Sequence, residues 1–441
     1  MDRESLSSVG VRSVIGTTVN AAGVTLAKSV PVARAEAFEV TGMGASPVWH
    51  VFCIDRAIAF TDPITAVGDM RLRIDGEALR DIGGGLAWAP ASYYSQDGEP
   101  EPACTRHLLS DMQRRLADDG LVAQVGHELE FVLVALDGHP LETPGWTPYG
   151  AGALLQRERF LADLVDATNA AGLPLEQIHA EYGRDQYEIS LPRAEPLASA
   201  DGVVLAKLII GRIARSYGLL PSFSPLPFAG GVGNGAHQHL SLYRGDLPIF
   251  EGGSGPHDLT GDGGAAIGGL LALLPQIQAL LCGSILSGAR LGPGMWSGVH
   301  LCWGLENREA AVRLVRGGAD NPAGANIEIK VIDPSANVYI ATAALLAAAD
   351  YGIRTGAALP DEVPDDPSKL SAAQLRGRGI SLLPKDADAV LSALDGSPLV
   401  REMIGNAVVD AVVATRRHEQ TTFTDREPGG LAELFRLSWT I

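Results

Sequence analysis

Four places in this chain set ionisable or amide side chains two residues apart inside otherwise apolar runs. Glu128 and Glu130 open Glu-Leu-Glu-Phe-Val-Leu-Val, Gln186 and Glu188 flank Tyr187, His237 and His239 precede Leu-Ser-Leu, and Glu328 and Lys330 precede Val-Ile. Side chains at i and i+2 of a strand share a face, so each pair aims two polar groups to one side. Carboxylates gathered on a buried face repel one another unless cations meet them. Glutamates plus histidine, with oxygen ligands predominating, suit Mg²⁺ or Mn²⁺ better than zinc. One pair alone is as well explained by a solvated strand edge; the joint occurrence carries the reading. Arginines add a second layer. Arg308 and Arg313 lie five apart in Asn-Arg-Glu-Ala-Ala-Val-Arg, and Arg290 precedes Leu-Gly-Pro-Gly. Guanidinium forks match carboxylate and phosphate oxygens, although a single arginine is usually a surface ion pair. No GxxxxGK[ST] is present, and Lys28-Ser29 lacks the preceding glycine, so a P-loop enzyme is excluded.

The elements that must position these residues follow from periodicity. Ser13 to Asn20 and Val24 to Val30 flank a turn at Ala22-Gly23 and predict a hairpin. The polar stretch Tyr93 to Pro102 reads as a linker. Thr105 to Asp119 carries helical spacing at Leu108, Leu109, Met112 and Leu116, with Thr105 as a candidate cap. Strands are predicted over Gln124–Leu136, His237–Tyr243, Ala311–Val315 and Asn326–Ile332. Helices are predicted over Arg157–Ala171, Ala200–Tyr217, Ala265–Leu281 and Tyr339–Tyr351, with a mostly helical tail from Lys385. Strands interspersed among helices without strict alternation predict an α+β protein.

Composition narrows the class. The chain has 441 residues, 46% of them hydrophobic, with a formal net charge of −18, which suits two domains or one large one. So acidic a chain is poorly suited to nucleic-acid phosphates. Four widely spaced cysteines without a CxxC pair predict neither a disulfide framework nor a zinc knuckle. The start, MDRESLSSVG, has no apolar core, and the apolar run Ile340–Ala349 is too short to cross a bilayer. The expectation is a cytoplasmic protein with no membrane and no nucleic-acid partner.

In chain order between residues 126 and 340, the motifs are Gly-His-Glu128-Leu-Glu130-Phe, Glu181-Tyr-Gly-Arg-Asp-Gln186-Tyr-Glu188-Ile and Gly-Asn234-Gly235-Ala-His237-Gln-His239-Leu-Ser241. Arg290-Leu-Gly-Pro-Gly, Asn-Arg308 with Arg313, and Glu328-Ile-Lys330 before Asn337-Val-Tyr-Ile complete them. This series resembles the glutamine synthetase family. The resemblance implies an N-terminal β-grasp domain (1–103) and a catalytic domain (104–441) whose antiparallel strands form a half-barrel flanked by helices. It also implies a homo-oligomer, a dodecamer of two stacked hexamers with sites at subunit boundaries. By motif position, Glu130, Glu181 and Glu188 match the ligands of one divalent ion. Glu128, His237 and Glu328 match those of a second, near the phosphates of ATP. His239 and Ser241 fall at nucleotide positions, Asn234, Gly235 and Arg290 at glutamate positions, and Arg308 and Arg313 at phosphate positions. The implied chemistry converts the γ-carboxylate of glutamate to an acyl phosphate, which an amine then displaces.

Four departures bear on which amine. Trp296 stands where the family's Arg-x-x-Pro-Gly loop carries a flap glutamate, and Asn20 is read at the place of an ammonium-binding aspartate. Losing both carboxylates weakens a pocket for ammonium. Trp296 offers instead a flat face for an alkyl chain, or for a cation at roughly 0.5–2 kcal/mol. The γ-glutamylpolyamine synthetase branch resembles this chain in having an aromatic residue there. Lys330 replaces a glutamate-contacting arginine and Asn326 an arginine near the nucleotide phosphates, while Asp185 is a candidate acceptor of the amine's proton. No tyrosine follows Tyr351, so the tyrosine adenylylation that resemblance to bacterial members would suggest is absent. The expectation is an ATP- and Mg²⁺-dependent ligase of glutamate and a polyamine. The alternatives are an ammonium-using glutamine synthetase, a ligase for ethanolamine or another small amine, and a non-catalytic ring.

Overall fold

The computed structural model describes residues 10–321 and 324–441. The stretch Met1 to Val9, on which the expectation of no secretion signal partly rests, lies outside them.

The N-terminal sheet is built on the predicted hairpin, Ser13–Val19 paired antiparallel with Thr25–Pro31. Leu86–Tyr94 runs parallel to the first of these strands and antiparallel to Met70–Ile74, which pairs with Met43–Ala45. Met70–Ile74 shows how the pattern folds: Met70, Leu72 and Ile74 are buried while Arg71 and Arg73 face outward. Helix Ala35–Val40 lays Phe38 on the inner face. The expected linker is shorter than its composition suggests, because Tyr93 is a buried strand residue and only the turn after Tyr94 is loop.

Helix Thr105–Asp118 forms as its spacing predicts, burying Leu109, Met112 and Leu116. Thr105 does not cap it. Cys104 precedes the helix, and the Thr105 hydroxyl donates to the Val19 carbonyl at 3.1 Å. The four cysteines are free and buried.

The second sheet has nine strands. Its main path runs His300–Leu305, Ala310–Val315, Asn326–Ile329, Gln238–Arg244, Leu121–Ala135, Gln186–Ala194, Gln177–Ala180. It curls into a half-barrel, with helices Pro196–Ser216, Gly261–Cys282 and Val338–Thr355 among those packed around it. The sheet is not wholly antiparallel. His300–Leu305 and Ala310–Val315 are parallel, because the four residues between them carry the chain back along the first strand: Asn307 packs beside Gly304, and the Glu309 carbonyl lies 3.3 Å from His300 Nδ1.

Helices Gly261–Cys282 and Val338–Thr355 touch through glycines; a methyl on Gly352 would sit 2.1 Å from the Ala265 carbonyl. Gly261–Cys282 is long and apolar enough to cross a membrane, but 78% of its apolar window is buried in the core, as expected of a central helix.

Arg106 joins the two sheets. Its guanidinium donates to both oxygens of Asp201 on helix Pro196–Ser216, at 3.0 and 2.8 Å, and to Asp75 at 2.7 Å just past strand Met70–Ile74. Tyr339 adds a hydroxyl to Asp201 at 2.7 Å. Removing the cation leaves Asp201 charged in a dry setting, so Arg106→Met is expected to destabilise by about 3–5 kcal/mol. The double variant Arg106→Met with Asp201→Asn should recover a large part of that loss in thermal unfolding.

Candidate active site

The paired residues converge on the inner face of the half-barrel. Cross-strand register brings them together: Glu130 lies opposite Glu188, His239 opposite Glu328, and Glu328 opposite Arg313. His237 Nδ1 is 3.0 Å from Glu128 and 3.6 Å from Glu328. His239 Nε2 is 3.3 Å from the other oxygen of Glu128. Lys330 Nζ donates to one oxygen of Glu328 at 3.1 Å, and Arg313 donates to the other at 3.0 Å. At the other end, His179 Nε2 is 2.9 Å from Glu181 and 3.6 Å from Glu188. Tyr149 stacks on His179 and donates its hydroxyl to Glu181 at 3.1 Å.

This concentration of charge shifts the acids apart. Burial and the carboxylates of Glu128, Glu130 and Glu181 push Glu188 up to about 10. Burial likewise raises Glu130. Burial alone would raise Glu328, but Lys330, His237 and His239 hold it at about 2. Glu128, despite burial, is held well below the carboxylate range by the same two histidines. Five carboxylates thus share too few cations, the condition a divalent ion relieves. The close donor groups are Glu128 with His239 and Glu328, Glu128 with Glu188 and His237, and His179 with Glu181 and Glu188.

Gly235 lets these groups approach: a Cβ there would lie 2.5 Å from His237 Nε2 and 2.8 Å from Glu130 Oε1. Gln186, fully buried, donates to Glu130, to Asn234 Oδ1 and to the Gly233 carbonyl, each at 2.9 Å. Arg290 is clamped by the carbonyls of Lys330 and Val331, both at 3.0 Å. Arg308 is exposed, on the return loop. His239 Nδ1 contacts Asn326 Oδ1 at 2.9 Å, and Ser241 donates to the Ala325 carbonyl. Ala325 lines a cleft of about 240 Å³ with Phe250, Glu251, His257 and Arg316. Trp296, at φ +53°, projects into solvent from the loop after Arg290.

Residues 102–428 match the glutamine synthetase catalytic domain. The chain belongs to the glutamine synthetase family. Over 98% of its length it is 35% identical to the γ-glutamylpolyamine synthetase GlnA3 of Streptomyces coelicolor, of which 94% is covered. It is 32% identical to the glutamine synthetase of Pyrococcus abyssi over 74% of this chain and 73% of that protein. A solved structure described as a novel glutamine synthase homolog superposes with a TM-score of 0.88 at 30% identity, covering 97% of this chain and 99% of that one. The complex of GmaS with ADP gives 0.85 at 25% identity, with 96% of each chain covered.

Within this glutamine synthetase fold, several expectations need correction. The Asn20 side chain is committed to the hairpin turn. It is buried, its Oδ1 accepts the Ala22 and Val24 N–H groups, and its amide donates to the Phe52 carbonyl, so it shapes the hairpin turn. Asn234 has its side chain occupied by Ser222, Ser224 and Gln186 and its N–H by the Pro225 carbonyl, leaving its own carbonyl for a substrate. Asp185 turns to Thr143 and Arg157, both of which donate to its Oδ1. The close donor groups bring His179 and His239 in beside the expected metal ligands. Sequence reasoning missed His179 and Tyr149. His179 stands two residues before Glu181, the same spacing used elsewhere; Tyr149 sits on a loop at φ +57° with no pattern to mark it.

The raised acids set a sign. A carboxyl whose folded pKa exceeds its ordinary 4.5 favours the folded state only while protonated. Stability of chelated protein should therefore fall as pH climbs from about 5 towards 10, measured by thermal unfolding in EDTA. Saturating Mg²⁺ or Mn²⁺ should raise the midpoint and flatten that slope, and Glu188→Gln should flatten it without metal.

Proposed function

We propose that this member of the glutamine synthetase family joins the γ-carboxyl of glutamate to a primary amine, a polyamine such as putrescine or spermidine, with ATP converted to ADP and phosphate. The observation that carries the amine assignment is Trp296, an exposed aromatic face on the flap loop. Full-length similarity to a protein named γ-glutamylpolyamine synthetase supports it.

The reading assigns roles as follows. Glu128, Glu130, Glu181, Glu188, His237 and Glu328 would hold divalent ions, Mg²⁺ or Mn²⁺, with His179 at the Glu181 end. Bound there, the ions neutralise charge on the transferring phosphoryl group. Ser241, which donates to the carbonyl of the cleft-lining Ala325, with Asn326 and His239 beside it, would receive the nucleotide. Arg308, exposed on the return loop, and Arg313 would hold phosphoryl oxygens. Arg290, Lys330 and the backbone at Asn234-Gly235 would orient glutamate. A γ-carboxylate oxygen attacks the γ-phosphorus and ADP leaves; the amine nitrogen then attacks the acyl carbon, phosphate departs and the amine gives up a proton. The buried wall of the half-barrel keeps water from the acyl phosphate.

We also read residues 1–103 as the β-grasp domain and 104–441 as the catalytic domain, in a cytoplasmic dodecamer of two stacked hexamers.

The test is phosphate release with ATP, Mg²⁺ and glutamate across ammonium, ethanolamine, putrescine, cadaverine, spermidine and spermine. Turnover confined to polyamines, with the γ-glutamyl adduct seen by mass spectrometry, is the expected result. Turnover with ammonium alone would overturn it. Glu130→Ala should lower turnover by at least about a hundredfold, whereas a non-catalytic ring would be indifferent. Trp296→Glu should shift the ratio of ammonium to polyamine kcat/KM upward by about tenfold.

A further inference from the structure

We propose that Glu309 is a positioning residue that fixes the flap loop and so sets the affinity for the amine; this rests on the reading that Trp296 meets the amine. The loop from Leu291 to Ser297 is buried at its two ends but exposed over its tip, Pro293 to Trp296, with Met295 and Trp296 half exposed. Its base is closed by Ser297, whose hydroxyl accepts the Gly292 N–H at 3.1 Å. Its tip is held by one carboxylate. Glu309 Oε2 accepts the Gly294 N–H at 3.1 Å, and Oε1 accepts the Trp296 N–H at 2.7 Å. Glu309 is 5% exposed and His300 is buried beside it, with Nδ1 3.5 Å from Oε2.

Two features make this more than a surface contact. Charge-assisted bonds from a buried carboxylate to backbone N–H groups are about twice as strong as neutral ones. They also hold left-handed residues, Gly294 at φ +75° and Trp296 at +53°, the second a conformation that a tryptophan rarely adopts unaided. Glu309 itself is fixed by the return loop, where its N–H donates to Asn307 Oδ1 at 3.1 Å and Asn307 is tied to the Val363 and Asp365 carbonyls. Arg308 is its immediate neighbour. One rigid loop therefore presents a phosphate-directed arginine outward and grips the flap backbone inward.

The experiment compares wild type, Glu309→Gln and Glu309→Asp by steady-state kinetics with spermidine and by hydrogen exchange of the intact oligomer. For Glu309→Gln we expect faster exchange confined to residues 292–298 and a spermidine KM raised about tenfold or more, with KM for ATP and glutamate within about twofold. Glu309→Asp, which keeps the charge, should fall between. Unchanged exchange at 292–298, or a common shift of all three KM values, would overturn the proposal. If wild type turns over no polyamine, the reading of the amine fails by itself, and the exchange result still decides whether Glu309 holds the flap. Should Glu309→Gln fail to assemble, Glu309→Asp carries the same two measurements.

Discussion

Mutual repulsion among carboxylates is the constraint from which the rest of this structure follows. Glu128, Glu130, Glu181, Glu188 and Glu328 share one side of a curled sheet, where burial makes every uncompensated charge expensive. Strands hold Glu128, Glu130, Glu188 and Glu328 there because neighbouring ladders lock the direction of each side chain, and Glu181 follows directly on the strand Gln177–Ala180. The surrounding cations are few and individually assigned: Lys330 and Arg313 to Glu328, His237 and His239 to Glu128, His179 to Glu181. Glu188 shares His179 with Glu181 and, among neighbouring carboxylates, is pushed up to about 10. A site with that deficit favours divalent cations, and through them the polyphosphate tail of a nucleotide.

Holding such a face rigid requires an apolar backing, and the helices supply it. Gly261–Cys282 and Val338–Thr355 approach closely through glycines, forming a thin, dense layer on which the strands rest. Arg106 ties this body to the N-terminal sheet. The charged inner face and the apolar outer layer are two consequences of one alternating pattern read along the same strands.

How much of this was legible depended on whether a residue's role was local. Glu128 with Glu130 and His237 with His239 announced themselves because a period of two places both members on one face of an apolar strand, where each must find a partner. The half-barrel was legible only through the resemblance that those motifs carry, and the parallel pair at His300–Leu305 was not, since a four-residue connection ordinarily signals a hairpin. Asn20 was misread because a turn asparagine and a ligand-binding one look alike in sequence; only the Ala22, Val24 and Phe52 backbone groups around it separate them. Asn234 lay in the right motif, yet its side chain serves Gln186 and two carbonyls. Glu309 could not be found at all, because its partners are backbone N–H groups a dozen residues away and leave no trace in side-chain type.

The return loop Glu306–Glu309 has a bearing on how such a site can diversify. Its turn is closed by the Ala310 N–H on the Asn307 carbonyl, so an insertion or deletion there would displace Arg308 and Glu309 together. Residue type at position 296 is free of that linkage, since its side chain projects into solvent while its backbone alone is gripped. The side chain at the flap tip can thus change by point substitution while the loop backbone stays in register, a separation of variable and invariant parts built into the path of the chain.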